Sequence, residues 1–182
     1  MSRQYFADVL TEPVNAAFAT ITATTETVLI PVLYTPIQAF EPRAGKIYEL
    51  TVGGTITTGT AGTMIINPRI GIGQAVIGST SLGVSPTQNY VPSVTTAPFL
   101  YRMYLIYRSI GLNASSSTAV CTGKFESGGA VATAGSQTSI QHCTTGAAIT
   151  VDTTAYCSIW IGVTCSVAPS IIPQWHVWRS LN

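Results

Sequence analysis

Charge is what this sequence has least of. Of its 182 residues only 8% are Asp, Glu, Lys or Arg, against roughly 25% in an ordinary soluble domain. The net charge is +1 and the eight Lys and Arg are scattered along the chain, so there is no basic cluster to neutralise phosphates, and a nucleic-acid partner is not expected. Long apolar runs are missing too. The longest, Phe99 to Leu112, is broken by Arg102 and Arg108, short of the roughly 18 residues that would suggest a membrane span. In the opening MSRQYFADVLTEPVNAAF, Asp8 and Glu12 interrupt any apolar core, so the start lacks the pattern of a secretory signal and predicts a chain made and kept in a cytosol.

Catalytic vocabulary is equally thin. The only histidines are His142 and His176, and neither accompanies a serine in a nucleophile-elbow motif. His142 adjoins Cys143, but neighbours in a strand point to opposite faces, which argues against a Cys–His dyad. Five glutamates and two aspartates are spread singly. Gly71-Ile-Gly73 begins like a dinucleotide fingerprint and then lacks its third glycine, while Asn113-Ala-Ser115 reads as a turn. The four cysteines, Cys121, Cys143, Cys157 and Cys165, have no C-x-x-C pairing and sit in strand-like surroundings, so buried free thiols are expected. Cys157 and Cys165 on one strand would lie about 8 × 3.3 Å apart, beyond the reach of a disulfide. The expectation is a non-enzyme with no catalytic, cofactor-binding or metal-binding residues and no cofactor.

What the sequence does have is strand and turn chemistry. Phe18 to Thr24 alternates, and Val28 to Leu33 follows with Pro31 at an edge or bulge. Ile47 to Val52 is a strand, and Gly53-Gly54 predicts a bulge or bend before Thr55 to Thr58. Gly59 to Gly62 reads as a hairpin turn into Met64 to Ile72, with Pro68 at an irregularity, and the pair suggests a meander. Residues 78–98 and 127–137 read as loops. Between them Phe99, Tyr101, Met103, Leu105 and Tyr107 share one face, and Ala119 to Glu126 forms a further strand. Shorter strands follow at 138–142 and 148–151, then at 155–167 and 171–181. Eight to ten strands without a 3.6-residue apolar period predict an all-β fold, a jelly-roll-like antiparallel β-sandwich over residues 18–182. Residues 1–17 are expected as an extended N-terminal arm, with a short helical turn at Asp8 to Glu12.

Low charge together with a mean hydropathy of +0.37 makes for a sticky surface, and such a surface is expected to be covered by neighbours. Tyr5, Phe6, Val9 and Leu10 are candidate anchors of the arm on another subunit. Trp160, Trp175 and Trp178, with Tyr156, are candidates for core or interface packing rather than for sugar stacking. Trp175 and Trp178 are three apart and so face opposite ways along a strand. Both are contact candidates, one packing inward and the other meeting a neighbouring subunit.

The run Phe18-Ala-Thr-Ile-Thr-Ala-Thr-Thr-Glu-Thr-Val-Leu-Ile-Pro31, then Tyr34-Thr-Pro-Ile37, Pro42-Arg-Ala-Gly45, Gly54-Thr-Ile-Thr-Thr58 and Arg69-Ile-Gly71 resembles a family of tailed-bacteriophage virion proteins. So does the far end, Val151-Asp-Thr-Thr-Ala155 followed by a closing aromatic strand and Leu181-Asn182. The similarity covers roughly residues 16–76 and 149–182. Ala44-Gly45 stands where the family often has Pro-Gly, and the cysteines and paired C-terminal tryptophans depart from its pattern. The resemblance implies a minor capsid, decoration or cement protein on the capsid exterior, with no catalytic residues. Its expected partners are the major capsid protein and copies of itself, in a homotrimer. The alternative is a receptor- or glycan-binding module of a tail or head fibre, carried by loops 78–98 and 127–137.

Overall fold

A computed structural model describes residues 7–11, 20–30, 34–73, 79–113, 116–128, 139–143 and 148–181, with backbone alone at 7–11 and 139–143. Thirteen strands occur among the described residues. They are β1 (Ala7–Thr11), β2 (Thr27–Val28), β3 (Pro36–Ile37), β4 (Ile47–Thr58), β5 (Gly62–Ile72), β6 (Thr80–Ser81) and β7 (Gln88–Tyr90). β8 (Val94–Ser109), β9 (Ser117–Ser127), β10 (Ser139–Cys143), β11 (Ile149–Val151), β12 (Cys157–Cys165) and β13 (Ser170–Leu181) follow. They form two antiparallel sheets. One runs β1-β13-β4-β8-β9, with β10 and β11 both on the outer edge of β9. The other runs β2-β12-β5-β6, with β3 also on β12 and β7 also on β5.

That order is the expected jelly roll. The first strand pairs with the last (β1 with β13), β2 and β3 with β12, β4 with β8, and β5 with β6 and β7. The successive ladders fall alternately in the two sheets, as in one long antiparallel hairpin rolled up. The β9–β11 segment is added between the sixth and seventh positions and widens the larger sheet. Edge strands are short or split, which limits the unpaired backbone on offer to other chains.

The core lies between the sheets and follows the period of two. In β8 the buried residues are Ala97 and then Phe99, Tyr101, Met103, Leu105 and Tyr107, the last five being the face expected from sequence. They meet Leu50 and Val52 of β4, Ile66 and Ile70 of β5, and Ile159, Ile161 and Val163 of β12 in a single cluster. Trp178 stacks on Tyr48 at 5.3 Å between ring centroids, and its indole N–H donates to the Pro36 carbonyl at 3.0 Å, joining the two sheets. Each large buried ring of this kind contributes on the order of 2–3 kcal/mol of transfer free energy.

Four local expectations are corrected. Gly59 to Gly62 does not turn a hairpin. β4 and β5 lie in different sheets, so this link crosses the sandwich, because Gly-rich turn chemistry reverses a chain without specifying which sheet it enters. Gly53 and Gly54 sit in an uninterrupted β4, and the irregularity lies opposite them, between Pro173 and Trp175 of β13. Pro68 leaves the β5–β12 register unbroken. Finally, Asp8 to Thr11 is strand rather than helical turn. Residues 7–11 of the expected arm pair with β13 of the same chain, Ala7 opposite Leu181 and Val9 opposite Arg179.

Candidate functional site

Registers across β13, β4, β8 and β9 place the outward side chains of the larger sheet in rows. One row is Trp175, Gly53, Leu100 and Glu126. Two residues along lie Val177, Thr51, Arg102 and Lys124, then Arg179, Glu49, Tyr104 and Thr122. Neighbouring rows are about 7 Å apart along the strands. This face mixes aromatic, apolar and charged groups and has no further layer among the described residues.

Two adjoining hollows open on it. One, of about 420 Å³, lies over β8 and β9 among Leu100, Arg102, Tyr104, Lys124 and Glu126. The other, of about 470 Å³, is bounded by Thr55, Pro98, Leu100, Glu126, Gln174 and Trp175. Leu100 and Glu126 line both, so the hollows share a wall. The bulge at Gln174 and the missing side chain at Gly53 set the position of Trp175. Its indole lies directly over Gly53, where any Cβ would overlap Cε2, Cζ2 and Nε1 of the ring. Trp175 is partly exposed.

The charges on this face are paired unequally. Glu49 is only 2% exposed and takes a different guanidinium on each oxygen: Arg179 Nη2 lies 2.6 Å from Oε2 and Arg102 Nε 3.4 Å from Oε1. Thr51 also donates to Oε1, at 3.3 Å. Lys124 pairs with Glu126, two residues along its own strand. Arg102 and Lys124, both about half-exposed, stand directly opposite each other. Like charges in that position repel.

The opposite face of the sandwich is closed. Glu26 takes the Arg69 guanidinium in a fork, Nε on Oε1 and Nη2 on Oε2, both at 3.0 Å. The guanidinium in turn lies 5.4 Å from the ring of Trp160, which is buried. One end of the sandwich exposes large apolar side chains beside the charged residues Glu41, Arg43, Lys46 and Arg108. Ile72 closes β5, Ile110 and Leu112 lie in the β8–β9 link, and Phe40 is tied to Thr153 beside the start of β9. All four side chains are exposed, Phe40 by 76% and Leu112 by 97%. Phe40 holds φ at +59°, a left-handed backbone that a bulky residue rarely adopts.

Of the residues singled out from sequence, Trp178 packs inside its own chain and is not available to a neighbour, whereas Trp175 stands on the outer face. Val9 and Leu10 belong to β1, on the edge of the larger sheet. Tyr5 and Phe6 lie outside the described residues, as do loop 129–137 and the side chains of His142 and Cys143. Cys121, Cys157 and Cys165 are buried free thiols, the last two inward-facing on one strand as expected. Burial pushes the thiols of Cys157 and Cys165 up to about 11. Burial also lowers the pKa of His176, whose ring lies 4.9 Å from that of Tyr34. Among the described residues no three His, Cys, Asp or Glu side chains converge as a metal site. Sequence reading missed the Glu49 cluster. Its signal was the outward strand position that Glu49, Arg102 and Arg179 each hold, legible only once the strand order is known.

Comparison with protein families, with curated proteins and with solved structures finds no match to this chain.

Proposed function

We propose that this chain is a structural virion subunit that decorates and cements the head of a tailed bacteriophage from the outside, as a homotrimer set on the major capsid protein. The observation that carries the reading is the set of large apolar side chains exposed at one end of the sandwich. Phe40, Ile72, Ile110 and Leu112 are all exposed there on a chain with very few charges to keep it soluble. Water contact on such a surface is unfavourable, and burying it against a shell or against further copies is the natural relief. The strained Phe40 supports the same reading, because a left-handed phenylalanine costs about 1–2 kcal/mol and holds its ring away from the body of the protein. The resemblance of residues 16–76 and 149–182 to tailed-phage virion proteins supplies the kind of particle. A cement subunit acts by adding buried area at lattice junctions and needs no reaction chemistry.

Electron cryo-microscopy of purified particles tests the proposal. Density for the sandwich at junctions of the head lattice, with the Phe40 end against the shell, is the expected result. Density confined to the tail, or absence of the chain from particles, would refute it. Phe40→Gly sharpens the test, since glycine relieves the backbone while deleting the ring. The isolated protein should keep or gain stability and lose occupancy on heads.

A further inference from the structure

We propose that the outer face of the larger sheet binds an acidic oligosaccharide, with one sugar ring laid on Trp175 and a carboxylate one row away between Arg102 and Lys124. This concerns a different surface from the Phe40 end and stands whether or not the chain sits on a particle.

Three features converge on that chemistry. Trp175 is fixed on the outer face by the bulge at Gln174 and by the bare backbone of Gly53 beneath it. Among the described residues no ring stacks on it and no acceptor takes its N–H. An indole backed by protein on one side offers its other side to the C–H face of a pyranose, which stacks on aromatic rings without needing a formal charge. Polar groups suited to hydroxyls border the same hollow. Gln174 and Thr55 donate and accept, and Glu126 accepts.

The adjoining hollow selects for a negative charge. Arg102 and Lys124 stand opposite each other on neighbouring strands, each about half-exposed. Glu49 lies between two arginines and satisfies Arg102 only in part, at 3.4 Å. Counting Arg179, these rows carry three cations against Glu49 and Glu126, an excess of one positive charge. One carboxylate set between Arg102 and Lys124 relieves their repulsion and gains charge-assisted hydrogen bonds. The spacing from Trp175 to that pair is one row along the strands, about 7 Å, and between two and three strand widths across. That is a span for several linked sugars rather than one. Glu126, placed between the hollows, disfavours a phosphodiester chain, which carries a charge on every unit, and accepts the hydroxyls of a neutral unit.

The test uses the full chain with a hyaluronan tetrasaccharide, which alternates uronic acid with N-acetylglucosamine, and with the neutral N-acetylglucosamine tetramer for comparison. Binding is followed by calorimetry and by tryptophan emission. The acidic tetramer should bind saturably at millimolar concentration or below, weaken as salt rises, and bind about tenfold more tightly than the neutral one. Trp175→Ala should weaken it by about tenfold, and Lys124→Gln, at an exposed position with no packing role, should weaken it severalfold and flatten the salt dependence. Unchanged binding by Lys124→Gln, equal affinity for the two tetramers, tighter binding of oligothymidylate, or no saturable binding of the acidic tetramer would each overturn the proposal.

Discussion

Arg179 and Glu49 face each other across the β13–β4 ladder, and the guanidinium places both Nε and Nη2 on a single carboxylate oxygen, at 2.7 and 2.6 Å. The other oxygen is left for Arg102 and Thr51. A carboxylate only 2% exposed on an outward face is thus held by two guanidinium groups from flanking strands. Arg179→Met should cost about 2 kcal/mol of stability, because hydrogen bonds to a charged, shielded group are lost while the carboxylate stays in place. Urea denaturation checks this. A change below a few tenths of a kcal/mol would mean that Arg102 suffices alone.

Two adjacent glycines should respond very differently to alanine. At Gly53 the new methyl first meets the indole of Trp175, a partly exposed side chain that can swing outward. At Gly54 it meets the Ile172 carbonyl and lies 2.8 Å from both Pro173 Cα and Phe99 Cε1, so backbone and core must move. Gly54→Ala is expected to cost about 3 kcal/mol or more, and Gly53→Ala about 1 kcal/mol with a marked rise in iodide quenching of tryptophan emission. Similar melting temperatures for the two variants would contradict the placement of these glycines.

His176 gives the fold a specific acid sensitivity. Burial lowers its pKa below the ordinary 6.5, so the native state refuses a proton that the unfolded chain accepts. Stability is complete above about pH 6.5 and falls as pH drops from there toward the folded value, by at most about 1.4 kcal/mol per pH unit. Chemical denaturation between pH 7.5 and about 5 should show this slope in the wild type, and His176→Gln should remove it.

Thiol chemistry offers a simple count. Cys121, Cys157 and Cys165 are buried, and the latter two thiols titrate near 11, so at pH 8 they are protonated as well as shielded. With Cys143 replaced by Ser, the native protein should give no prompt reaction with an aromatic disulfide reagent, and all three thiols should react once urea unfolds it. Prompt modification of even one would show that the sandwich opens locally.

The inward face of β8 was legible from sequence because alternation is a property of consecutive residues, and Phe99 through Tyr107 carry it without interruption. So were the opposite facings of Trp175 and Trp178 and the inertness of the Cys157–Cys165 pair, which follow from strand geometry alone. What sequence did not disclose is which strand lies beside which. The link at 59–62 resembles a hairpin turn in sequence because its residues turn a chain equally well within a sheet or between sheets. For the same reason the Glu49 cluster and the Trp175 hollow stayed hidden. Glu49, Arg102 and Arg179 are far apart in the chain and meet only through the β13-β4-β8 order, and the bulge that aims Trp175 is a response of β13 to glycines on β4.

The pairing of Ala7 with Leu181 has a kinetic consequence. The ladders are nested, β5 with β7 inside β4 with β8, inside β12 with β2, inside β13 with β1. Each outer ladder closes a longer stretch of chain than the one within it, and the entropy of closing a long stretch falls once its interior is already ordered. Assembly therefore zips outward from the middle of the sequence, at the modest speed set by contacts this distant. The two ends meet last, so β1 should be the first strand to exchange its amide hydrogens and the last to recover them on refolding.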